Sequence, residues 1–218
     1  MLSFEKIVIG ELETNCYLVW NEDTKECLII DPADDGVGIS EEINNKKLNV
    51  KAIFLTHGHF DHSLGALDLK LIYNADFGCS SEDAFLLDRQ DETAKHFLKK
   101  EIQVPNFIKI DIDLDKIEEF KLGEEKIEII KTPGHTPGSV CFKSTPNPSF
   151  DERRGEKKLL FSGDTLFAGC RGRTDFSYGS TKKIFESLKK LMKLNKDTLV
   201  LPGHGEETTI EREANRYL

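Results

Sequence analysis

The 218-residue sequence lacks long apolar runs, which excludes the commonest membrane architecture. No stretch approaches the roughly 20 apolar residues that a membrane-spanning helix needs. The opening residues 1–6 (MLSFEK) do not place a basic segment before an apolar one, so no secretory signal peptide is expected. These absences predict a cytoplasmic protein that does not act at a membrane.

The chain also lacks blocks of one charge. Its formal net charge is −9, with Lys and Glu spread along the sequence. Proteins that bind nucleic acid usually carry basic patches, so nucleic acid is not expected as a partner. The length is sufficient to bury a sizeable core, and we expect residues 1–218 to form a single domain.

Paired cysteine motifs are absent as well. The five cysteines are odd in number and scattered, and no Cys-X-X-Cys occurs; they are Cys16, Cys27, Cys79, Cys141 and Cys170. This pattern predicts reduced thiols in or near the core of a cytoplasmic protein. Cys170 is expected to be a buried structural thiol, with a place in a pocket wall as the alternative.

What the chain does contain is a dense cluster of metal-binding side chains. The stretch 56–62 (THGHFDH) supplies three imidazoles and a carboxylate from His57, His59, Asp61 and His62. These donors suit Zn²⁺, Fe²⁺ or Mn²⁺ better than Ca²⁺ or Mg²⁺. The cluster follows an apolar run at 51–55 that is expected to be a strand, and sites in α/β sheets form beyond the carboxyl ends of strands. The alternative is a His-rich surface loop that binds metal adventitiously.

The same pattern recurs three times downstream. Apolar runs at 127–130, 159–161 and 199–201 each precede a glycine-containing turn and then His135, Asp164 or His204. With the first cluster this makes seven candidate donors, five histidines and two aspartates. One Zn²⁺ takes four ligands, so seven donors fit two ions that share a bridging carboxylate. The remaining histidine, His96, lies in a Lys-rich helical stretch and is expected to be exposed.

These motifs in this order resemble the metallo-β-lactamase superfamily. The resemblance covers nearly the whole chain and implies a four-layer αββα sandwich. It implies one metal on His57, His59 and His135, a second on Asp61, His62 and His204, and a bridge through Asp164. Asp31, which is followed by Pro32, is implied to orient a ligand histidine, although a simple turn aspartate is equally consistent with its position.

The implied chemistry is hydrolysis by a metal-bound hydroxide. Two divalent ions, zinc first and iron or manganese as alternatives, would make hydroxide available near neutral pH and polarise a carbonyl oxygen. Asp61 is the candidate catalytic residue, as a metal ligand that also holds the proton of the nucleophile.

The segments 161–169 and 172–175 resemble the glyoxalase II branch, whose members hydrolyse glutathione thioesters such as S-D-lactoylglutathione. The ending, 201–205 and 208–215, is similar to compact bacterial glyoxalase II-like enzymes. No C-terminal helical domain for glutathione is expected. Arg173 and Tyr178 are candidate substrate-binding residues; a structural ion pair with Asp175 is the alternative for Arg173.

Other functions stay open. A persulfide dioxygenase, which shares the segment 172–175, would use one Fe²⁺ on His57, His135 and Asp164. A β-lactamase, a lactonase or another esterase would share the metal chemistry. A metal-dependent scaffold would tolerate the loss of Asp61 or His62.

Four local expectations concern helices and one long connection. A helix is expected to start near Ser40 and another at 81–83, where acidic residues favour a helix N-terminus. A third, capped by Ser180 or Thr181, is expected to bury one face formed by Ile184, Phe185, Leu188, Leu191 and Met192. The segment 144–158 is expected to be a solvated loop, with a substrate-touching flap as the alternative.

Overall fold

Two β-sheets stacked face to face, with helices on both outer sides, make up the fold. A computed structural model describes residues 1–99, 109–145 and 158–217. The predicted αββα sandwich is confirmed by three separate apolar clusters, one between the sheets and one under each helical layer. Of the segment 144–158, for which a loop or flap is predicted, residues 146–157 lie outside the described residues, and Ser144 and Thr145 belong to the end of a strand.

The first sheet contains the strands that lead to the first ligand cluster. Among the described residues it has six strands in chain order, β1 (Leu2–Ile9), β2 (Thr14–Asn21), β3 (Glu26–Ile30), β4 (Asn49–Phe54), β5 (Asp76–Cys79) and β6 (Ile112–Asp113). From β3 onward neighbouring strands are parallel. The carboxyl ends of β3, β4 and β5 therefore lie at one edge.

The second sheet carries the strands that precede the three later donors. In spatial order the described part has β14 (Thr208–Thr209), β13 (Leu199–Pro202), β10 (Leu159–Gly163), β9 (Val140–Thr145), β8 (Glu125–Lys131) and β7 (Glu119–Leu122). A separate ribbon pairs β11 (Leu166–Phe167) with β12 (Cys170–Arg171). Because β9 is antiparallel to both β8 and β10, and β10 is parallel to β13, the strands β8, β10 and β13 run in one direction.

Strand alternation explains how one sheet serves two apolar layers. Along β2, Tyr17 and Val19 face the second sheet, whereas Cys16 and Leu18 face the outer helices. Side chains of a strand point alternately to opposite faces, so a sheet covered on both sides has few polar positions. The two sheets meet through large rings, including Tyr17 and Phe161, whose centroids are 5.1 Å apart.

Six helices cover the sheets and flank the site: α1 (Gly36–Asn45), α2 (Ala66–Tyr73), α3 (Ala84–Leu87), α4 (Gln90–Leu98), α5 (Thr181–Leu191) and α6 (Ile210–Tyr217) in the described residues. Helices α1 and α2 pack on the first sheet, and α5 and α6 on the second. No helix in this part of the chain is both long and apolar enough to cross a bilayer.

Two predicted helix starts are corrected. Helix α1 begins four residues before Ser40, because the Asp35 carboxylate accepts a hydrogen bond from the Gly38 N–H and caps the first turn. The Ser40 hydroxyl instead donates to the Val37 carbonyl within the helix. The segment Ser81–Asp83 is a short 3₁₀ turn capped by Ser80, and α3 follows it.

Two predicted burials are also wrong. On α5, capped by Ser180 as expected, Phe185 is 40% exposed because it lies at the margin of the apolar stripe, over the Arg171 guanidinium. Cys170 is exposed on the ribbon strand β12, whereas the other four cysteines are buried and free. A two-stranded ribbon outside the main sheets has no second layer to cover it.

The two sheets are joined by backbone hydrogen bonds at the edge where the ligand segments begin. The Val140 N–H donates to the Thr56 carbonyl at 2.8 Å, and the Asn15 N–H donates to the Gly203 carbonyl at 2.7 Å. The Tyr17 hydroxyl adds a bond to the Pro202 carbonyl at 2.8 Å. These bonds fix the relative position of the two sheets at the site.

Removal of a ring from the inter-sheet layer is expected to destabilise the whole protein. Phe142 is fully buried and its ring centroid lies 5.7 Å from that of Phe54. We expect Phe142→Ala to lower the free energy of unfolding by about 3–5 kcal/mol, because it leaves a cavity between two rigid sheets. Urea unfolding of the metal-free protein measures this. Leu71→Ala, at a side chain that is 71% exposed, is the control and should change it by less than about 0.5 kcal/mol.

Candidate metal centre

All the predicted donors lie at one edge of the sandwich. His57, His59 and Asp61 follow β4, and His62 ends a 3₁₀ turn, Phe60–His62, that folds the cluster back on itself. In the second sheet, His135 follows β8, Asp164 directly follows β10, and His204 follows β13. Because these strands end at the same edge, four distant segments of sequence meet there.

The first donor set consists of three imidazole nitrogens. His57 Nε2 lies 3.0 Å from His59 Nδ1, which lies 3.1 Å from His135 Nε2. Ligands about 2.0–2.1 Å from a tetrahedral Zn²⁺ stand roughly 3.3 Å from one another. The three nitrogens therefore have the spacing of ligands around one ion.

The second donor set consists of Asp61, His62 and His204. Asp61 Oδ2 lies 3.3 Å from His204 Nε2 and 3.7 Å from His62 Nε2. All three ligand atoms lie within 4.8 Å of one another. This set is slightly wider than the first and is built from different residues.

Asp164 lies between the two sets and turns one oxygen toward each. Its Oδ2 is 3.5 Å from His135 Nε2, in the first set. Its Oδ1 is 3.5 Å from His62 Nε2 and 3.8 Å from His204 Nε2, in the second. This is the arrangement that a bridging carboxylate requires.

Three buried atoms of the cluster make no hydrogen bond within the protein. They are His62 Nε2, Asp164 Oδ1 and His62 Nδ1, and the last of these is in ion-pair contact with Asp31. Buried polar atoms are nearly always paired, so such atoms usually mark a missing ion or water. The donor chemistry and these orphaned atoms both fit divalent cations.

The protonation of the cluster suits metal binding. Burial, and then repulsion from neighbouring imidazoles, lowers the pKa of His57 and lowers that of His59 to about 3, so both rings are neutral near pH 7. Burial also lowers the pKa of His62, but the carboxylates of Asp31, Asp61 and Asp164 outweigh it and raise that pKa to about 10. The three carboxylates thus stabilise a positive charge at this position. A bound metal cation would supply that charge in place of the proton on His62.

Every ligand ring is held through its other nitrogen. The partners are Thr56 Oγ1 for His57 Nδ1 (3.0 Å), Tyr178 Oη for His59 Nε2 (2.9 Å), Asp31 Oδ2 for His62 Nδ1 (3.0 Å), the Arg173 carbonyl for His135 Nδ1 (2.9 Å) and the Leu12 carbonyl for His204 Nδ1 (3.0 Å). Such contacts fix both the tautomer and the orientation of a metal-binding histidine.

Asp31 does more than close a turn. Its carboxylate accepts hydrogen bonds from the Thr56 N–H and the Thr56 hydroxyl, both at 2.7 Å, and lies beside His62 Nδ1. One side chain therefore anchors the start of the ligand cluster and orients a ligand ring. These contacts favour the orienting role over that of a simple turn aspartate.

Asp83 was not singled out as a site residue by the sequence, yet it connects two ligand segments. Its fully buried carboxylate accepts hydrogen bonds from the Gly58 N–H (2.9 Å), the Gly138 N–H (2.7 Å) and the Thr136 hydroxyl (2.6 Å). Gly58 lies between His57 and His59, and Thr136 follows His135. Asp83 therefore sets the distance between the parts of the first donor set.

Glycines allow the ligand segments to approach closely. Gly58 does not adopt a positive φ; a Cβ there would lie 2.9 Å from the Asp83 carbonyl oxygen. A Cβ at Gly203 would collide with Asp164 Oδ1 and lie 2.7 Å from His62 Cε1. Close contact between segments, more than turn geometry, explains these two glycines.

A cavity of about 440 Å³ opens directly onto the donors. Its described lining is mostly apolar and comprises Leu12, His59, Phe60, Asp61, Thr93, Phe97, His135, Asp164, Phe167, Arg173, Phe176 and Tyr178. Both candidate substrate-binding residues are on its wall. The Arg173 guanidinium, however, makes two hydrogen bonds to the Asp175 carboxylate, at 2.7 and 2.6 Å, which is the structural alternative.

Two residues considered from the sequence lie elsewhere. His96 is exposed on α4, as expected. Cys170 is not among the described residues that line the cavity. The metal-ligand roles of the seven donors remain predictions, although the structure places their ligand atoms together.

The whole-chain fold and this donor arrangement agree with the comparison to known families. The model of the metallo-beta-lactamase superfamily matches residues 9–204, and the chain belongs to that superfamily. It is 35% identical to the hydroxyacylglutathione hydrolase GloC of Haemophilus influenzae, over 100% of this chain and 98% of that protein.

Solved structures give the same result. The B3 metallo-beta-lactamase BLEG-1 matches with a TM-score of 0.84 and 28% identity, over 99% of this chain and 98% of its own. TTHA1623, solved in a di-iron-bound form, matches with a TM-score of 0.79 and 30% identity, over 96% of both chains. The chain is therefore a metallo-hydrolase of this superfamily with glyoxalase II-like relatives.

Loss of the Asp83 carboxylate is expected to weaken the first donor set selectively. An asparagine cannot accept all three hydrogen bonds, because its amide group is itself a donor. We expect Asp83→Asn to reduce metal affinity at His57, His59 and His135 by about 10–100-fold. Calorimetric metal titration, which separates the two binding events, measures this.

Asp115→Asn is the matched control for Asp83→Asn. Asp115 is a nearby carboxylate that accepts a hydrogen bond from Ser80 at 2.5 Å and does not contact either ligand segment. Its substitution should leave both metal affinities unchanged. Equal weakening of both metal sites by Asp83→Asn would contradict the proposed clamp and indicate general destabilisation.

Asp164→Ala is expected to affect both metals. Because each carboxylate oxygen faces a different donor set, its removal should reduce metal content from two ions per chain to one or fewer. Elemental analysis of the purified, metal-loaded variant measures the content, with His96→Ala as the histidine control that keeps both ions. Two ions retained in Asp164→Ala would refute the bridging assignment.

Proposed function

We propose that this protein is a zinc-dependent hydrolase of thioesters, with S-D-lactoylglutathione as the first substrate to test. The observation that carries the proposal is the double donor set with Asp164 between its halves, opening onto a cavity. Full-length similarity to a hydroxyacylglutathione hydrolase supports the thioester class.

The described part of the cavity wall offers no serine or cysteine nucleophile, which favours attack by water. Among its described lining residues, Thr93 and Tyr178 carry the hydroxyl groups, and neither serine nor cysteine occurs. The Thr93 hydroxyl donates to the Arg89 carbonyl at 2.9 Å, and the Tyr178 hydroxyl is bonded to His59. Both hydroxyls are occupied by contacts that hold the protein together.

In this proposal the histidines bind the metal ions and Asp61 transfers a proton during hydrolysis. Divalent ions, when bound, would supply a hydroxide nucleophile near neutral pH and polarise the carbonyl of the substrate. His57 and His59 would hold an ion as neutral rings, and His62, whose pKa is raised, would release its proton on binding one. Although burial opposes its ionisation, nearby His62 and His204 hold the pKa of Asp61 below its usual range, so its carboxylate is available to accept a proton.

The reaction balances without any further reactant. Water adds its oxygen to the thioester carbonyl carbon, a C–O bond forms and the C–S bond breaks. One proton of the water passes to the departing thiolate, by way of Asp61 in this proposal. The products are a carboxylic acid and a free thiol.

A second candidate is an iron-dependent persulfide dioxygenase. His57 and His135 with Asp164 form a set of two histidines and one carboxylate, which is typical of non-haem iron oxygenases. A di-iron form of TTHA1623 exists on the same fold. The hydrolase is favoured because a mononuclear site would leave Asp61, His62 and His204 without a function.

Hydrolysis of S-D-lactoylglutathione by the metal-loaded protein tests the proposal. We expect loss of the thioester absorbance in the wild type, and a decrease in kcat of about 100-fold or more in Asp61→Ala. His96→Ala, an exposed histidine outside the site, is the control and should retain full activity. Oxygen uptake with glutathione persulfide by an iron-only protein that hydrolyses no thioester would favour the dioxygenase instead.

A further inference from the structure

We infer that the part of the substrate bound in the cavity is an apolar alkyl or aryl group, and not the charged arm of a peptide thiol such as glutathione. This inference rests on the proposed thioesterase function and specifies its substrate class. It comes from the wall of the cavity rather than from the metal ligands.

Two aromatic pairs contribute to the wall. Phe60 and Phe97 stack at 6.2 Å. Phe176 and Tyr178 stack at 5.3 Å, and the Phe176 ring lies edge-on to His59 at 5.2 Å. An apolar surface therefore begins at the ligand rings and continues outward.

Apolar side chains at the edge of the cavity remain exposed. Leu12 is 41% exposed and Phe97 is 45% exposed, although both line the cavity. Phe85, which packs against Tyr178 of the wall at 5.4 Å, is 37% exposed. Large apolar groups that surround an open cavity usually mark a surface that a ligand covers.

The polar side chains of the wall already have partners. Arg173 is the only lysine or arginine among the described lining residues. Its Nε and Nη2 groups, which form one edge of the guanidinium, donate to the Asp175 carboxylate, and the guanidinium lies 4.6 Å from the Phe176 ring centroid. Outside the cavity, nearby Arg89 is paired with Glu92 at 3.0 Å.

Among the described residues of the wall, a charged substrate arm would therefore lose hydration and find no cation other than Arg173, which is already paired with Asp175. Glutathione carries two carboxylates, and a carboxylate placed against apolar walls without a cation is strongly disfavoured. An alkyl or aryl group gains from the same burial. The volume of about 440 Å³ is sufficient for a hexanoyl or phenylacetyl group.

Two series of thioesters test the inference with the metal-loaded wild-type protein. The first varies the acyl group, as acetyl, D-lactoyl, hexanoyl and phenylacetyl, on N-acetylcysteamine. The second varies the thiol, as N-acetylcysteamine, glutathione and benzyl mercaptan, with acetyl constant. Each kcat/KM is normalised to the rate of alkaline hydrolysis of the same thioester, which removes differences in chemical reactivity.

We expect kcat/KM to be about tenfold or more higher for the apolar members of one series. The series that shows the preference identifies the side of the carbonyl that lies in the cavity. Turnover of thioesters with no apolar preference in either series would overturn this inference alone. No turnover of any thioester would overturn the proposed function together with it.

Two variants locate the preference in the cavity. Phe97→Ala should lower kcat/KM for the preferred apolar thioester about tenfold, and for the acetyl thioester of N-acetylcysteamine much less. Phe185→Ala, at a phenylalanine that is 40% exposed on α5 and outside the described lining, is the matched control and should keep the wild-type ratio.

Arg173→Gln tests the opposite model. If the guanidinium binds a substrate carboxylate, this variant should lose turnover of the glutathione thioester selectively. We expect the ratio between the glutathione and N-acetylcysteamine thioesters to stay within about twofold of the wild-type ratio, because Asp175 already holds the guanidinium. A selective loss of tenfold or more would overturn the inference.

Discussion

The close packing of seven imidazole and carboxylate donors at one buried edge is the constraint on which the structure depends. Such a cluster is costly to dehydrate unless each donor has a partner. The protein provides that partner for the far nitrogen of each ring, through Thr56, Tyr178, Asp31 and two backbone carbonyls. The near atoms are left for cations, as the orphaned His62 Nε2 and Asp164 Oδ1 indicate.

The direction of the strands brings the donors together. Strands β4, β8, β10 and β13 all end at the edge where the two sheets are joined by backbone hydrogen bonds. Asp83 then links the turn at Gly58 to the turn at Thr136 and Gly138. The donors are thus held in place by the two sheets and by one buried carboxylate. In the proposed function, the side chains of the aromatic cavity beside them select the substrate.

The strands, the candidate donors and the fold class could be predicted from the sequence because they depend on local sequence patterns. The dense cluster at 56–62 indicated four candidate donors, apolar runs followed by a glycine and a single donor indicated the other three, and the resemblance to a family implied the sandwich. The helix start at Asp35, the exposure of Phe185 and the role of Asp83 were missed. Each depends on what lies opposite a side chain in space, and residues 58, 83 and 136 are too far apart in sequence to suggest a contact.

By itself, then, the sequence predicted divalent metal ions, seven candidate donors and the layered fold, because donor chemistry and strand periodicity are properties of short segments. The tertiary structure decided the distances within the two donor sets, which oxygen of Asp164 faces each set, and that Asp175 holds Arg173. It also decided that the cavity wall is aromatic, since Phe60, Phe97 and Phe176 come together only when the two sheets meet. Distances between side chains are set by packing, and packing is not a local property of the chain.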